Sequence, residues 1–478
     1  MVSFILNDQL VKADQASGST VLDYVRYYKR LAGTKIGCRE GDCGACTILV
    51  GDFENLPAGR HGDKLVYRSM TSCLMPLGNA NGKHIVSVEG VNMEALSPVQ
   101  QAMVDENATQ CGFCTIGFVM SLTGFVLNDT TKNYSDAVAA IDGNICRCTG
   151  YKSIERAAVI LSEKMNDKPA AETISWLVEK KFIPDYFLKI KDRLTILREQ
   201  VNKEAGELKA VSQKLVLGGG TDLIVQKALH VKKSELAHVF DKGHLQEINF
   251  ENSQCHVGGA VTVTAFAESK LIQGFFPDLK KYIKLISSTP IRNMATMAGN
   301  LVNASPIGDM TIFFLALDSD IVLGKDGSSR TIKLKDFYNG YKQIDKEADD
   351  IIEKIIFIPP QNSYFNFEKV SKRTHLDIAS VNTACLMQLS NDGVIESIHL
   401  SAGGVAPFPK YLKDTCLFLT GKKITADVLN EAIGIINSEV APISDARGTA
   451  DYKRLLLRQL FLEHFNKQET VIRNVLNF

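Results

Sequence analysis

The sequence lacks the features that mark nucleic-acid-binding, membrane-spanning and secreted proteins. Its 478 residues hold 54 Lys plus Arg and 54 Asp plus Glu, so the formal net charge is zero. A strongly basic balance is the usual footprint of nucleic-acid or acidic-membrane binding, and its absence argues against both. No apolar run is long enough to span a bilayer, and the N-terminal MVSFILNDQL lacks the basic start and small-residue cleavage site of a signal peptide. We therefore expect a cytoplasmic protein.

Tryptophan is limited to Trp176, and the sequence shows no internal repeat or low-complexity tract. Composition is otherwise that of an ordinary globular protein, with 45% hydrophobic and 23% charged residues. At about 150 residues per domain, the length predicts roughly three domains. Cysteine is scarce beyond residue 150, where Cys255, Cys385 and Cys416 stand alone. All the others precede residue 150, and without an export signal this clustering favours metal or redox ligation over a disulfide framework.

The first part of the chain is predicted to form a small β-grasp domain at 1–90. SFIL and QLVKAD flank an Asn7-Asp8 turn and predict a β-hairpin. A helix is predicted to begin at Thr20, where Thr20 and Asp23 resemble a capping box, and to end before Gly33. A hairpin followed by a helix is the order that suits a β-grasp domain.

A mostly helical domain is predicted at 91–165. Ser97, Pro98 at the first helical position and Gln100 form a complete helix start. Further helical patterns follow within this range. The polar and charged stretch 166–212 is interpreted as a connector into the next domain.

Beyond residue 212 the pattern changes to short β-rich runs. KLVLGG and CHVGGAV alternate with helical stretches over 213–360, which predicts an α+β domain. FNFEKVSK, ASVNTACLMQLS and VIESIHLSAGGV then predict the strands of a smaller sheet with helices behind it, over 361–478. The predicted fold class is therefore multidomain α+β.

One group of cysteines has the spacing of a plant-type [2Fe-2S] ferredoxin, C-x4-C-x2-C with a distant fourth cysteine. Gly37, Gly41 and Gly44 in the same loop allow tight turns with backbone amides aimed at sulfide. A structural zinc site is the alternative, but zinc prefers paired arms of cysteines two to four residues apart. The predicted ligands, called the first set below, are Cys38, Cys43, Cys46 and Cys73.

A second group combines a C-x2-C arm in TQCGFCTIGF with a C-x-C arm in NICRCTGY. The first arm alone would also suit a redox pair or half a zinc site, whereas C-x-C is unusual for zinc. Each arm precedes a predicted helix, whose N-terminal amides can stabilise anionic thiolates. The neighbouring ferredoxin pattern favours a second cluster, because redox centres work in chains. The predicted ligands, called the second set below, are Cys111, Cys114, Cys146 and Cys148.

Two segments rich in glycine and small polar residues are candidates for a nucleotide site. LVLGGGTDL, 215–223, follows a predicted strand but is not a dinucleotide fingerprint, because Leu223 stands where the third glycine belongs. It also lacks the Gly-Lys-Ser/Thr of a P-loop, and a plain glycine-rich turn is the alternative. STPIRNMATMAGNLVNASPIGDM, 288–310, combines small residues that permit close backbone approach with polar donors and acceptors.

GCREGDCGACT, QCGFCTIGF and NICRCTGY together resemble the iron-sulfur portion of the molybdenum hydroxylases, the family of xanthine dehydrogenases and aldehyde oxidoreductases. All the cluster ligands of the family are matched position by position. The resemblance implies that the first set holds the cluster nearer the flavin and the second set the cluster nearer the molybdenum centre. It extends over essentially the whole chain, including IPDYFLKI and SAGGVAPFPK.

The two glycine-rich segments resemble the FAD-binding domain of this family, related to the vanillyl-alcohol-oxidase (PCMH) flavin fold and followed by a C-terminal domain of the CO-dehydrogenase-flavoprotein type. By motif position, the glycine loop would wrap the pyrophosphate and Asp309 would lie on the ribityl or ribose side. Lys369 aligns with a basic flavin-contacting residue, and a solvated strand lysine is the alternative. The flavin residues so implied are Leu217, Gly218, Gly219, Gly220, Thr221, Asp222, Leu223, Thr296, Gly299, Asn300, Val302, Asn303, Asp309 and Lys369.

The sequence departs from this family at two places. Ile286 stands where animal enzymes place an aromatic ring over the isoalloxazine, so any stacking must differ. In KRTHLDIA, 372–379, where those enzymes carry a charged loop that steers NAD access, Leu376 replaces an acidic residue and only Asp377 remains. His375 in this segment is interpreted as a surface loop residue and not as a catalytic base.

The resemblance implies a subunit that takes electrons from a molybdopterin-binding large subunit and relays them through two [2Fe-2S] clusters to FAD and on to NAD+. The chain ends at Phe478 without molybdopterin-binding domains, so substrate hydroxylation is expected on the partner, in an α2β2 heterotetramer. The fused iron-sulfur and flavin arrangement favours a xanthine dehydrogenase over an aldehyde, nicotinate or aromatic thioester enzyme. A zinc-stabilised interaction scaffold is the alternative from a different class.

Overall fold

The computed structural model describes residues 1–56, 60–128, 133–204, 214–325, 327–373 and 375–465. The chain divides into two compact units. The first consists of Met1–Gly243 and Ser288–Ala295, and the second of His244–Ser287 and Thr296–Phe478. Within the described ranges, no helix has both the length and the apolar character needed to cross a membrane.

The N-terminal part of the first unit is the predicted β-grasp sheet. Its strands are β1 (Val2–Leu6), β2 (Gln9–Ala13), β3 (Thr47–Leu56), β4 (Arg60–Thr71) and β5 (His84–Val86). β1 and β2 form the predicted hairpin, with Asn7 at a φ of 55° in its turn. The sheet order is β2-β1-β5-β3-β4, in which β1 and β5 run parallel and the other neighbours antiparallel.

The helix predicted from Thr20 is shorter than expected. α1 (Val21–Asp23) continues only as a π-helical turn, Tyr24–Tyr28. The Thr20 hydroxyl accepts a hydrogen bond from the Asp23 amide at 3.1 Å, which is one half of the predicted capping box. The helix ends early because Arg30 adopts a left-handed φ of 58°, which breaks the helical hydrogen-bond pattern before Gly33 is reached.

The helical domain is confirmed, and its first helix has the predicted capping box. Its helices are α2 (Pro98–Asp105), α3 (Thr115–Leu127), α4 (Tyr134–Ala140) and α5 (Lys152–Lys164). The Ser97 hydroxyl accepts from the Gln100 amide at 3.2 Å, and the Gln100 side chain accepts from the Ser97 amide at 2.8 Å. α3 is buried on most of its faces and forms the centre of this domain.

The segment interpreted as a connector is largely helical, with α6 (Thr173–Glu179) and α7 (Ile190–Glu204), and its end, 205–212, lies outside the described residues. Ile190, Leu194 and Leu197 of α7 pack on Ile5 of β1, so the segment belongs to the same unit as the β-grasp sheet. The unit continues with β6 (Leu215–Leu217), α8 (Leu223–Lys233) and β7 (Leu236–His238), in which β6 and β7 pair in parallel.

The second unit begins with an antiparallel sheet of order β11-β10-β14-β9-β8 that packs against helices. Its strands are β8 (Ile248–Glu251), β9 (Gln254–Gly258), β10 (Asp320–Lys325), β11 (Ser328–Lys333) and β14 (Ile351–Phe357), with the small pair β12 (Tyr338–Gly340) and β13 (Gln343–Ile344) beside them. The helices of this stretch are α9 (Val263–Glu268), α10 (Lys270–Phe275), α11 (Leu279–Lys284), α13 (Met297–Asn303) and α14 (Asp309–Ala316), whereas α12 (Thr289–Arg292) belongs to the first unit.

The last part of the second unit is the predicted smaller sheet with helices behind it. The antiparallel order is β15 (Tyr364–Val370), β16 (Val381–Leu389), β17 (Ile395–Gly403) and β18 (Lys410–Tyr411). The helices are α15 (Lys413–Leu419), α16 (Ala426–Glu439) and α17 (Ala450–Glu463). Apolar side chains of β16, β17 and these helices form one core, and residues 466–478 lie outside the described range.

Candidate cofactor sites

The β3–β4 pair brings half of the first cysteine set together. Thr47 and Thr71 are register partners, so Cys46 just before β3 lies next to Cys73 just after β4. Ser72 holds the two strand ends together, because its hydroxyl donates to the Cys46 carbonyl at 2.7 Å. The Cys46 and Cys73 thiols are hydrogen-bonded to each other, and each residue is 2% exposed.

Cys38 and Cys43 form the other half of the first set. Backbone amides point at their sulfurs: the Cys38 amide donates to Cys43 Sγ at 3.4 Å, and the Glu40 amide to Cys38 Sγ at 3.3 Å. The Cys43 thiol also hydrogen-bonds Cys38, and this contact lowers the pKa of Cys38 to about 4. Gly41, with a φ of 83°, lets the loop turn so that these amides face inward. The same thiol contact raises the pKa of Cys43, so the thiolate form is favoured at Cys38. Backbone amides directed at sulfur are a feature of a cluster-ligating loop.

The second set is assembled at the N-termini of two helices. Cys111 and Cys148 place their Sγ atoms 3.7 Å apart, and the Cys114 and Cys146 thiols are hydrogen-bonded. Cys114 is the residue that caps α3, as the predicted helix start requires. Thr149 contacts Cys146 Sγ twice, through its amide at 3.4 Å and its hydroxyl at 3.0 Å.

The donor chemistry of both sets fits a two-iron cluster. None of the cysteines, all of which are described, is in a disulfide. Each set is composed of two thiol pairs, as a [2Fe-2S] cluster requires, because each of its irons takes two thiolates. In the described part of the chain, no cluster of three or more Cys, His, Asp or Glu is arranged to hold a single metal ion.

The two sets lie next to each other within the first unit. The Ile145 amide, adjacent to Cys146, donates to the carbonyl of Cys43 at 3.0 Å. The Asn144 side chain donates to the Gly44 carbonyl at 3.2 Å and accepts from Ser121 at 2.7 Å. The second set is therefore bonded through the backbone to the loop of the first.

The glycine loop after β6 packs directly on the chain that carries the first set. A Cβ on Gly220, whose φ is 88°, would lie 2.7 Å from the carbonyl oxygen of Leu74, the residue after Cys73. A Cβ on Gly219 would lie 1.8 Å from the Met294 carbonyl oxygen. The Asn79 side chain donates to the Gly218 carbonyl at 2.9 Å. Close packing therefore requires glycine at positions 219 and 220.

The remaining residues of this loop lead into α8. Leu217 is buried at the end of β6, whereas Thr221, Asp222 and Leu223 are half-buried where the helix begins. α8 begins at Leu223 and is kinked at Lys227, so its first helical stretch is short. The start of a helix carries a partial positive charge that favours a phosphate group. The loop therefore fits the pyrophosphate-binding role that the sequence predicts.

The segment 288–310, treated as one in the sequence, is divided between the units. Its first part, 288–295, packs on the cysteine-bearing unit, where the Arg292 guanidinium pairs with Asp142 at 2.9 Å. The Thr289 amide also donates to Asp142 at 2.7 Å, and Ile291 contacts the loop at Gly41. Thr289 and Arg292 therefore hold Asp142, just before the Cys146 arm of the second set, while Ile291 packs on the loop of the first set. Composition alone did not predict either role.

The second part of the segment forms α13 in the second unit. Thr296 caps this helix through the Gly299 amide at 3.2 Å. Asn300 Oδ1 accepts from the Thr311 amide and hydroxyl, each at 3.0 Å, and Asn303 Oδ1 accepts from Lys342 at 2.8 Å. Val302 on the same helix is half-buried. Each polar residue predicted here thus has a partner within the protein.

Asp309 and Lys369 form a buried ion pair. Lys369 Nζ lies 2.7 Å from Asp309 Oδ2, and the two side chains are 2% and 13% exposed. The alternative of a solvated strand lysine is therefore wrong. Lys369 Nζ also donates to the Leu285 carbonyl at 2.8 Å, next to Ile286, which is buried. Asp309 Oδ1 accepts from Asn382 Nδ2 at 2.6 Å, and the sequence analysis missed this neighbour.

The described residues among 372–378 are exposed or half-buried, whereas Ala379 is buried. His375 is exposed, as interpreted from the sequence. Asp377 accepts the Arg373 amide at 3.1 Å, and its carboxylate lies 3.5 Å from the Arg373 guanidinium. The single acidic residue left in this segment is therefore neutralised by its own turn.

Four family descriptions match successive parts of the chain. They are the 2Fe-2S iron-sulfur cluster binding domain at 4–77, the [2Fe-2S] binding domain at 87–159, the FAD binding domain in molybdopterin dehydrogenase at 193–361 and the CO dehydrogenase flavoprotein C-terminal domain at 366–468. The first two contain both cysteine sets, and the other two contain every flavin residue named above.

Curated relatives match most of this chain but are longer than it. A xanthine dehydrogenase of Emericella nidulans is 29% identical over 89% of this chain and 35% of its own length. Xanthine dehydrogenase 1 of Arabidopsis thaliana is 26% identical over 95% of this chain and 38% of its own length. The chain therefore spans well under half the length of these relatives.

The fold is also found among solved structures. A carbon monoxide dehydrogenase from Hydrogenophaga pseudoflava is 24% identical, with a TM-score of 0.50, over 56% of this chain and 92% of that chain. At this level of identity the likeness establishes a shared fold and nothing about substrate.

Proposed function

We propose that this chain, whose domains fit the small 2Fe-2S and FAD subunit of the molybdenum hydroxylase family, relays electrons from a molybdopterin-binding partner through two [2Fe-2S] clusters to FAD. The matched family domains bind 2Fe-2S clusters and FAD, and both groups transfer electrons. The partner, the order of transfer and the final acceptor are the parts that require experiment.

One observation carries the order of transfer. In the first unit, the arm of Cys146 is hydrogen-bonded to the loop of Cys43, and the chain after Cys73 packs against Gly220. The second set thus contacts the loop of the first set, and the chain that carries the first set contacts the glycine loop. This arrangement supports the second set as the entry point for electrons and the first set as the donor to the flavin.

The side chains of this protein would hold and tune the cofactors. When bound, the clusters supply one-electron transfer, and FAD accepts electrons singly and releases them as a pair. Amides that point at Cys38 and Cys43 stabilise their negative charge, and such hydrogen bonds are one of the main controls of cluster potential. The glycine loop and the start of α8 would bind the pyrophosphate, while Asp309 and Lys369 supply a fixed pair of charges.

The proposed complex is a xanthine dehydrogenase that oxidises hypoxanthine and xanthine to urate and reduces NAD+ in the cytoplasm. The names of the curated relatives support this substrate class. The catalytic residues for hydroxylation would lie on the molybdopterin-binding large subunit, in an α2β2 heterotetramer. A relay in an aldehyde, nicotinate or aromatic thioester enzyme is the second candidate, because 25–29% identity to these relatives leaves room for another substrate.

The test is an ultraviolet-visible spectrum with iron, sulfide, zinc and flavin analysis of anaerobically purified protein. We expect about four irons, about four sulfides and one FAD per chain, as two [2Fe-2S] clusters and one flavin require. Stoichiometric zinc without iron or flavin would replace the relay with the interaction scaffold. Turnover of another heterocycle or an aldehyde, but of no purine, by the co-purified complex would select the second candidate.

A further inference from the structure

We propose that Asn382 is a positioning residue of the flavin site, because its amide fixes Asp309 and, through Asp309, the ammonium of Lys369. The inference rests on the proposed function, since FAD is the group that this pair of charges would serve. Asn382 lies in β16, within the run VNTACLM, where Thr383 is the other polar residue and bonds His464 at 2.9 Å. A buried amide near the start of this strand needs a reason, because burial of a polar group is costly unless it is hydrogen-bonded.

Asn382 and Lys369 each hold one oxygen of the Asp309 carboxylate. Asn382 Nδ2 donates to Asp309 Oδ1 at 2.6 Å and to the Ile307 carbonyl at 3.4 Å. Lys369 Nζ binds the other oxygen, Asp309 Oδ2, at 2.7 Å. A carboxylate held at both oxygens has one orientation, so the ammonium is also fixed in place. Without the amide, Asp309 could rotate about its side-chain bonds.

Stability alone is a poor reason to keep these charges. The Lys369 side chain is 2% exposed, and the desolvation penalty of a buried ion pair can exceed the attraction between its charges. Apolar replacements of buried pairs are often neutral or stabilising. A buried pair with a third residue that orients it is therefore better explained by binding or electronic tuning.

The neighbouring strand is adapted to the Asn382 amide. A Cβ on Gly403, in the SAGGV run of β17, would lie 2.1 Å from Asn382 Oδ1, so only glycine leaves room for this side chain. Asn382 is fully buried, and its Oδ1 has no hydrogen-bond partner among the described residues. The Asn382 side chain therefore keeps its Nδ2 donor directed at Asp309 although its Oδ1 lacks a hydrogen bond in the described part of the chain.

The test compares Asn382→Leu with Asn366→Leu, a matched change of a buried asparagine in the adjacent strand. Asn366 is 4% exposed and bonds His464 Nδ1 at 3.1 Å, with no contact to Asp309. Each protein is purified, its FAD-to-iron ratio is measured, and FAD is titrated back into flavin-depleted protein. We expect Asn382→Leu to bind FAD about tenfold more weakly or worse and to alter the visible band of bound flavin, with iron content unchanged. Asn366→Leu should bind FAD as the wild type does.

The outcomes separate this inference from the proposed function. If the wild type binds FAD and both variants match it in affinity and spectrum, the positioning role is overturned and the relay stands. If the wild type binds no FAD, both are overturned. Should Asn382→Leu fail to fold, Asn382→Asp keeps the shape but turns a carboxylate toward Asp309, and unaltered FAD affinity and spectrum in that variant would equally reject the role.

Discussion

The two cysteine sets use the same ligand chemistry but differ in how far the protein encloses them. In the first set, Cys46 and Cys73 are each 2% exposed within the core of the β-grasp domain, Cys38 and Cys43 are half-buried, and none is exposed. In the second set, Cys111 and Cys148 are exposed and Cys146 is buried. Because exposure affects the potential and the reactivity of a cluster, the two sets cannot be equivalent. An enclosed set suits transfer inside the chain, and an open set suits exchange with another protein.

The difference follows from the elements that carry each set. Strand ends place Cys46 and Cys73 beneath the sheet, where core side chains cover them. Helix N-termini leave Cys114 half-buried and Cys148 exposed, because the amides that favour thiolates are free only where a helix begins. Four predictions, in order of decreasing effect, test whether the difference in burial between the two sets affects cluster stability and potential.

The largest effect is expected when one ligand is removed from each set. Cys73→Ser should remove about two of four irons, and Cys111→Ser should do the same, because each cluster needs all of its thiolates. Only Cys73→Ser should also destabilise the fold, because the serine hydroxyl would be buried beside Cys46 without a good hydrogen-bond partner. A buried, poorly paired polar group lowers the free energy of unfolding by about 1–3 kcal/mol. Iron analysis and calorimetry measure both. Equal melting temperatures for the two variants would show that enclosure does not distinguish the sets.

A pair of glycines tests the contact between the sets. Gly44 has a φ of 67°, and a Cβ there would lie 2.3 Å from the Gly143 carbonyl oxygen, across that contact. Gly150 has a φ of 64° and nothing within 4 Å of its Cβ position. In both variants the alanine must adopt a left-handed backbone conformation, which destabilises the fold by about 1–2 kcal/mol. Only in Gly44→Ala does the new Cβ also clash with a backbone atom.

The readouts for this pair are denaturant unfolding and the magnetic interaction between the two reduced clusters. Gly44→Ala should lose more stability than Gly150→Ala and should change the interaction. Equal losses in the two variants, with an unchanged magnetic interaction, would mean that the loops can move apart without consequence.

Much of this arrangement was predictable from local sequence. The cysteine spacings named the thiols that the structure brings together, because a cluster loop imposes distances along the chain. Ser97 and Gln100 predicted their helix start, since a capping box is made entirely of neighbouring residues. The early end of α1 at a left-handed Arg30 was missed, because no glycine or proline marks that position.

Long-range partners were not predictable in the same way. Arg292 is read from sequence as part of a glycine-rich flavin segment, yet its ion pair is with Asp142, 150 residues earlier. Asn382 belongs to no motif, and the sequence around it does not indicate its partner. α7 was interpreted as a charged connector because its apolar stripe is narrow. Its packing on Ile5 shows that it belongs to the first unit. Such pairings arise from packing, which a single sequence does not record.

The order of cluster loss gives a kinetic test of enclosure. When oxidant and an iron chelator are added to the intact protein, the second set should release iron several-fold faster than the first, because Cys111 and Cys148 are exposed. Electron paramagnetic resonance of samples taken over time distinguishes the two clusters. Loss of both at one rate would indicate that global unfolding, and not local exposure, limits the reaction.

The smallest effect is expected from a single hydrogen bond at the open set. The Thr149 hydroxyl lies 3.0 Å from Cys146 Sγ, whereas the nearby Thr109 hydroxyl bonds that of Thr115 at 2.8 Å. Hydrogen bonds to sulfur stabilise the more negative, reduced cluster, so Thr149→Val should lower the midpoint potential of the second cluster while Thr109→Val leaves it unchanged. A redox titration followed by electron paramagnetic resonance measures both potentials. A matching shift in the two variants would trace the effect to general polarity at the surface, and no shift in either would mean that solvent already sets the potential of this exposed cluster.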